Sequence, residues 1–224
     1  MPDQPNVLVL LNDEHRPDVA GFAGDDVVRT PTLDWLAETG TVFENAYTPA
    51  PVCVPARQSI RTGQLPRTWS RHGFEAFESE YQTFARQFGE HGYMSATAGK
   101  MHYPGWAKMQ GWRKRLGPTP MKRTMSDAAF DMQTETDHGG LSDWKWSGPK
   151  EVKRAGVANS RVQVDDRRSV EGVEEFVKQY FSAPYYDRCQ PDRPLVLQTS
   201  LIQPHSPTSP TTRSLVPSTR PSVE

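Results

Sequence analysis

Short apolar runs and segments with helical periodicity alternate along most of the chain. The first apolar run, Val7–Leu11, ends at Asn12-Asp13-Glu14, and continuous branched runs of this kind are typical of parallel strands buried on both faces. A short helix is predicted next, with Thr30 as its N-cap, Pro31 at its first position and Gly40 just past its end. The opening of the chain therefore predicts a buried strand followed by a helix.

Further segments continue this alternation. Strand patterns fall on Val42–Tyr47, Tyr93–Ala98 and Pro194–Ile202, and helical spacing of apolar residues falls on Ser79–His91 and Asp165–Phe181. Strands that alternate with helices are typical of α/β folds. We therefore predict an α/β fold with a mostly parallel central sheet flanked by helices.

Two stretches interrupt the pattern. Residues 104–159 lack periodicity and are rich in Trp, Pro and Gly, as expected of a long irregular excursion over one end of the sheet. Of the 19 residues 206–224, 13 are Ser, Thr or Pro, and such a segment cannot bury enough apolar surface to fold. We predict one folded unit over residues 1–205 and a low-complexity tail over 206–224 that is disordered or read out of frame.

Composition narrows the class of protein. The 224 residues include 26 basic and 27 acidic side chains, a net charge of −1, which argues against a nucleic-acid partner or a polybasic membrane partner. No run approaches the roughly 18 apolar residues that span a bilayer, and the polar start Met1–Asn6 does not resemble a signal peptide. Two cysteines cannot build a disulfide framework. We expect a cytoplasmic globular enzyme acting on a small molecule, with its oligomeric state left open.

Reactive polar residues follow the predicted strands. They are Asp13 and Glu14 after the first strand, Lys100 and His102 after Tyr93–Ala98, and His205 after Pro194–Ile202. In addition, Cys53 stands just before a predicted helix that runs from Ala56 toward Thr62. A helix N-terminus offers free N–H groups and a positive dipole end, which suit an anion or an anionic nucleophile. Arg57 would add a positive charge one turn away.

Taken together, these motifs resemble the type I sulfatases of the alkaline-phosphatase-like superfamily. The blocks occur in the family's order over roughly residues 6–207, with the middle excursion weakly matched. The blocks are Pro5 to Glu14, Thr30-Pro31-Thr32-Leu33-Asp34, Phe43-Glu44-Asn45-Ala46-Tyr47, Pro51-Val52-Cys53-Val54-Pro55-Ala56-Arg57, Thr62-Gly63, Gly99-Lys100-Met101-His102 and Pro204-His205-Ser206-Pro207. The resemblance implies an alkaline-phosphatase-like sandwich, with residues 1–205 as the N-terminal part of the catalytic domain and the whole apparently truncated.

The resemblance implies a nucleophile and a metal site. Cys53 matches the cysteine that a formylglycine-generating enzyme oxidises to formylglycine, whose hydrate attacks the sulfur of a sulfate ester. Arg57 matches the arginine that steadies this nucleophile. Asp13 and Glu14, together with the modified Cys53, match ligands of a divalent cation, usually calcium, with magnesium or manganese as alternatives.

The resemblance also implies three residues that act on the substrate. Lys100 matches the lysine that binds the sulfate oxygens, His102 the histidine beside the nucleophile, and His205 the histidine near the leaving-group oxygen. All three follow predicted strands, so the resemblance and the strand pattern point to the same end of the sheet.

Two departures from the family pattern keep other functions open. Position 56 is Ala where the family commonly has Ser, and the second metal-binding pair that the family carries downstream of Pro-His-x-Pro is missing, since only 206–224 follow. Thr136-Asp137-His138-Gly139 resembles that pair but precedes His205. The leading hypothesis is a sulfuric ester hydrolase, choline-sulfatase-like or arylsulfatase-like. The alternatives are a phosphodiesterase or phosphonate monoester hydrolase of the same superfamily, and a catalytically silent truncated fragment.

Overall fold

A four-stranded sheet organises the chain in a computed structural model, which describes residues 4–69, 81–103, 109–117, 161–182 and 193–205. The sheet has the order β1-β4-β2-β3, and all neighbouring strands are parallel. The strands are β1 (Val7–Asp13), β2 (Met94–Gly99), β3 (Lys114–Leu116) and β4 (Leu195–Pro204). The parallel sheet predicted from the sequence is thus confirmed.

The register brings three strand ends together. Val7 of β1 pairs with Val196 of β4, and on the other side of β4 Met94 of β2 pairs with Leu195. Because the three strands run in the same direction in near-identical register, their carboxyl ends meet at one edge of the sheet, where parallel α/β sheets place their ligand sites. At that edge the β1–β4 pairing is irregular, and Asp13 pairs with Pro204.

The described residues form four helices, and two of them pack on opposite faces of the sheet. The four helices are α1 (Pro31–Thr39), α2 (Cys53–Thr62), α3 (Phe84–Glu90) and α4 (Arg161–Phe181). Short 3₁₀ turns occupy Gly21–Ala23 and Pro66–Trp69. On one face, Ala85 of α3 packs in an apolar cluster with Val196, and on the other, Phe176 of α4 packs with Leu195 and Leu197. Central strand β4 is therefore apolar on both sides, as its sequence predicts.

Several predicted boundaries need correction. The segment Val42–Tyr47 forms no strand, and its Phe43 and Tyr47 are exposed, because alternation alone supplies no partner and the segment pairs with none of the four strands. Helix α2 begins at Cys53 rather than Ala56, since Pro55 is tolerated in a first helical turn. Helix α3 begins at Phe84, after an N-cap by Thr83, so residues 81–83 of the predicted helix are not helical. Strand β3 lies inside the stretch predicted to be irregular.

The outer face of β1 is exposed, which contradicts the prediction that this strand is buried on both faces. Leu8 is 59% exposed and Leu10 57%, whereas Val7 packs against the cluster around Val196 on the opposite face. Helix α4 packs on β4, β2 and β3, and the described residues leave this face of β1 largely uncovered. A continuous apolar run therefore identified the strand correctly but not the burial of both its faces.

Other sequence predictions fall elsewhere in the chain. Most of the excursion 104–159, the Asp137-His138 motif and the tail 206–224 lie outside the described residues. In the described ranges no helix is both long and apolar enough to cross a bilayer. The cytoplasmic location stays a prediction.

The exposed face of β1 leads to a stability prediction. Replacing Leu8 and Leu10 together by Thr should lower self-association and binding of an apolar dye, because two exposed apolar side chains on a strand attract other apolar surfaces. The free energy of unfolding should change by no more than about 0.5 kcal/mol per site, as for other exposed positions. Light scattering and urea unfolding measure the two effects.

The matched control is Leu197→Thr on β4. Leu197 is 3% exposed, so its loss should cost about 3 kcal/mol through the lost burial and the buried hydroxyl. Equal losses of stability at the β1 and β4 positions would show that the outer face of β1 is covered in solution.

Candidate active site

The candidate active site lies at the carboxyl edge of the sheet. Asp13 ends β1, Lys100 directly follows β2, and Arg57 projects from the first two turns of α2. All three side chains are buried, with exposed fractions of 8%, 2% and 7%. The structure therefore brings together three predicted site residues that are up to 87 positions apart in the chain.

Asp13 bridges the two positive side chains. One carboxylate oxygen accepts a hydrogen bond from Nζ of Lys100, and the other lies 3.4 Å from Nη2 of Arg57. Burial alone would raise the pKa of Asp13, but the charge and hydrogen bond of Lys100 and the charge of Arg57 outweigh it and lower that pKa. Asp13 is therefore ionised at neutral pH, and the trio carries one net positive charge.

Ser200 of β4 holds both positive residues through hydrogen bonds. Its hydroxyl accepts a hydrogen bond from Nη1 of Arg57 at 2.7 Å, and its carbonyl accepts the N–H of Lys100 at 2.7 Å. Nη1 of Arg57 also donates to the carbonyl of Lys100 at 2.5 Å. Ser200 was not among the residues predicted from the sequence. The signal was present, because Gln198, Thr199 and Ser200 interrupt an otherwise apolar central strand, where polar side chains need specific partners.

Cys53 lies at the first position of α2, beside this trio. It is a half-buried free thiol. Burial raises its pKa, and the negative charge of Asp13 adds to this, whereas the charges of Lys100 and Arg57 act in the opposite direction. Cys53 precedes Arg57, a member of the trio, by about one turn of the same helix. The unmodified thiol is protonated at neutral pH.

His102 follows Lys100 in a left-handed backbone conformation, with φ of 54°. Both of its ring nitrogens are shielded from solvent. Burial, followed by the positive charges of Lys100 and Arg57, lowers its pKa to about 3. The imidazole is therefore neutral at neutral pH, and it joins the same cluster of charges as Cys53.

Glu14 and His205 form a second, more open part of the site. Nε2 of His205 lies 3.7 Å from Oε1 of Glu14, and their side chains are 26% and 60% exposed. Glu14 has a φ of 59°, which turns its backbone sharply after the strand. Glu14 directly follows Asp13 in the chain, so this pair adjoins the buried trio.

The described residues do not form a complete metal site. Among them, no group of three or more His, Cys, Asp and Glu side chains is placed to hold a metal ion. Of the three predicted ligands, Asp13 is bonded to Lys100 and paired with Arg57, and Glu14 is mostly exposed. Calcium takes about 6–8 oxygen ligands. The residues present do not fit such an ion without further ligands, so no chemical step is derived from one.

Comparison with known proteins identifies the family. The profile of the family described as Sulfatase matches residues 5–217, almost the whole chain. The chain belongs to the sulfatase family. An arylsulfatase of Clostridium perfringens (strain 13 / Type A) is 30% identical over 221 residues, which cover 92% of this chain and 44% of that protein. A choline-sulfatase of Rhizobium meliloti (strain 1021) is 29% identical over 208 residues, covering 91% of this chain and 39% of that protein.

The fold agrees with this family. The crystal structure of a phosphonate monoester hydrolase of Agrobacterium radiobacter superposes with a TM-score of 0.65 at 19% identity, covering 93% of this chain and 43% of that chain. The predicted alkaline-phosphatase-like fold is thereby confirmed. This sulfatase-family chain spans less than half the length of the relatives it matches. The truncation predicted from the missing second metal pair stays a prediction.

The last residue of β2, Gly99, leads to a prediction. Its φ is +78°, and a Cβ placed there would lie 2.0 Å from the carbonyl oxygen of Ser200. Gly99→Ala should therefore push Lys100 away from Ser200 and lower the free energy of unfolding by about 3 kcal/mol or more. Urea unfolding measures the loss.

Gly92→Ala is the matched control, because Gly92 has a φ of +88° and an added methyl group there would meet nothing within 4 Å. It should cost only the roughly 1–2 kcal/mol of a left-handed non-glycine residue. If both variants lose the same stability, the close approach of Gly99 to Ser200 is not a constraint in solution.

Proposed function

We propose that this chain carries the nucleophile-bearing part of a sulfuric ester hydrolase, which cleaves a sulfate monoester with a formylglycine derived from Cys53. The observation that supports it most is the arrangement of Cys53, Arg57 and Lys100 around Asp13 at the carboxyl edge of the sheet. Relatives named arylsulfatase and choline-sulfatase support the substrate class. The substrate would be a small sulfate ester of one of these two types.

The charge of the site suits a sulfate group. The two positive charges of Lys100 and Arg57 and the one negative charge of Asp13 leave a net charge of +1. The first turn of α2 adds free N–H groups and a positive dipole end. Buried cations that are fixed before the substrate arrives stabilise a developing negative charge without reorganisation. We propose that Lys100 binds sulfate oxygens and that Arg57 steadies residue 53. Ser200 holds Arg57 in place for this role.

The modified residue would supply the nucleophile. Sulfatase family members generally depend on formylglycine and a divalent cation. When present, the hydrate of this aldehyde would supply one hydroxyl to attack sulfur, with the alcohol oxygen as the leaving group, and a second hydroxyl to expel the sulfate as the aldehyde re-forms. We propose that His102 accepts the proton that residue 53 releases, once the negative charge of a bound ester opposes the burial and the positive charges that lower the pKa of His102. We propose that His205 donates a proton to the departing alcohol oxygen. The modification requires a formylglycine-generating enzyme as partner.

The described residues supply only part of a cation site. Asp13, Glu14 and an oxygen on modified residue 53 are this chain's candidates for holding calcium, or magnesium or manganese in its place. They supply fewer oxygens than the roughly 6–8 that calcium takes. The missing ligands must come from outside the described residues, and Asp137 and His138 are the candidates that the sequence offers.

A phosphodiesterase or phosphonate monoester hydrolase is the second candidate. The superposition on the phosphonate monoester hydrolase favours it, but at 19% identity that likeness shows the fold alone. Sulfate and phosphate groups are both tetrahedral, so a charged pocket accepts either. Competitive binding of an aryl sulfate, an aryl phosphate diester and an aryl phosphonate monoester to the aldehyde-bearing chain compares the two functions without requiring turnover. Tighter binding of either phosphorus ester than of the sulfate would overturn the sulfatase proposal.

The nucleophile proposal predicts a specific aldehyde. Protein produced together with a formylglycine-generating enzyme should carry an aldehyde at position 53, detected by a hydrazide probe and located by mass spectrometry of tryptic peptides. Cys53→Ala should abolish the labelling, since the aldehyde carbon is the cysteine Cβ. Cys189→Ala, at the other cysteine, should leave the labelling unchanged. A persistent free thiol at Cys53 would count against the modification.

The incomplete cation site predicts low activity of the 224-residue chain by itself. We expect hydrolysis of an aryl sulfate near the rate of the Cys53→Ala control, even when position 53 carries the aldehyde. Transition-state stabilisation depends on charges held in place, and an ion with too few ligands is not held. Added calcium should raise the rate little. Robust turnover would refute the prediction and make Asp137 and His138 the first residues to replace.

A further inference from the structure

We infer that Asp166 is a positioning residue, which holds the end of β4 so that His205 faces the candidate active site. Asp166 lies in the first turns of α4, on the face of the sheet opposite to the apolar cluster around Val196. Its side chain is 5% exposed. A buried carboxylate needs specific hydrogen-bond donors, and those donors identify what it holds.

Both carboxylate oxygens of Asp166 accept backbone hydrogen bonds from consecutive residues of β4. Oδ1 accepts the N–H of Ile202 at 2.8 Å, and Oδ2 accepts the N–H of Gln203 at 2.9 Å. Burial raises the pKa of Asp166, and the two N–H donors oppose this shift. Two such bonds from one planar group fix both the position and the orientation of this backbone segment.

The pairing of β4 explains why these two amides need an acceptor from a helix. The regular pairing of β1 with β4 runs as far as Asn12 and Leu201, and the next pair is Asp13 with Pro204. Ile202 and Gln203 fall in this irregularity, and pairing with β2 has already ended at Ser200. Backbone amides in an interrupted ladder must find other acceptors when they are buried. Asp166 supplies both.

A short chain of bonds connects Asp166 to His205. The carbonyl of Ile202 accepts the N–H of His205 at 2.9 Å, so Ile202 is bonded to Asp166 through its N–H and to His205 through its carbonyl. The carbonyl of Gln203 accepts a hydrogen bond from Nδ2 of Asn12 at 3.3 Å. The segment that carries His205 is thus held from α4 on one side and from β1 on the other, and His205 reaches Glu14 from it.

Helix α4 is a firm base for this contact. It packs on β4, β2 and β3, and Phe176 anchors it in the apolar cluster with Leu195 and Leu197. Groups held by packed helices are placed more accurately than groups held by loops. The functional meaning of the inference rests on the proposed function, in which His205 acts at the leaving-group oxygen.

The test is NMR spectroscopy of the full chain with two variants at position 166. Asp166→Asn keeps one acceptor oxygen but turns an amide N–H₂ toward the other backbone N–H. Asp166→Glu keeps the charge but moves it outward by one methylene. In each variant we expect amide exchange at Ile202 and Gln203 to become faster by about tenfold or more and the ring signals of His205 to shift. Glu171→Gln, at an exposed position of α4, should change neither.

The outcomes separate positioning from general stabilisation. Faster exchange with unmoved His205 signals would mean that Asp166 only stabilises the fold, and unchanged exchange would mean that the two bonds do not matter. Either result overturns the inference, and so does a failure of both variants to fold, since the role would then not be confined to His205.

Kinetics keep this inference separate from the proposed function. If the aldehyde-bearing chain hydrolyses an aryl sulfate measurably, Asp166→Asn should lower kcat more than it changes KM, because proton donation to the leaving group is affected and sulfate binding is not. A chain that never acquires the aldehyde refutes the proposed function but leaves the NMR result on His205 standing.

Discussion

The carboxylate of Asp13, buried between the ammonium of Lys100 and the guanidinium of Arg57, is the interaction on which the candidate site depends. Each of these groups is costly to bury alone. Removing one partner of a buried ion pair typically costs about 3–5 kcal/mol, because the other charge is left without compensation. These ion pairs therefore hold together the end of β1, the residue after β2 and the start of α2. The positive charge that remains is what an anionic substrate would meet.

Strand β4 carries the rest of the arrangement. Its Ser200 holds Arg57 through the hydroxyl and Lys100 through the carbonyl, and two residues further on its amides bond to Asp166. A central strand paired on both sides is the most rigid support that a parallel sheet offers. The site is thus built on one strand whose end is fixed by α4 on one face of the sheet and by the neighbouring strand β1.

Burial decides the protonation states in the site. It keeps the thiol of Cys53 and the imidazole of His102 neutral, whereas Asp13 stays ionised because two cations outweigh its desolvation. A neutral thiol is a poor nucleophile. The imidazole of His102 can accept a proton only when a bound anion opposes the burial and the positive charges that lower its pKa. This division of roles fits a cysteine that acts after modification better than one that acts as a thiolate.

Much of the fold could be predicted from the sequence, because periodicity reports local structure. The strands β1, β2 and β4 and the helix α4 follow from apolar spacing, and helix α1 follows from the residues at its ends. The residues after the strands follow from the rule that parallel sheets collect polar groups at one edge. The strand predicted at Val42–Tyr47 failed because alternation cannot show whether a partner edge exists. The burial predicted for both faces of β1 failed because burial depends on what covers a strand.

The candidate site divides in the same way. Residue types and spacing singled out Asp13, Cys53, Arg57, Lys100 and His205 from the sequence, because reactive side chains that follow strands or begin a helix can be recognised without the tertiary structure. The roles of Ser200 and Asp166 could be found only from the tertiary structure, since their partners lie 143 and 36 residues away in the chain. One sequence signal did exist for Asp166, which shares the helical stripe of Val170, Val173 and Val177, where a carboxylate is out of place. What that carboxylate binds was decided only by the packing of α4 against the interrupted end of β4.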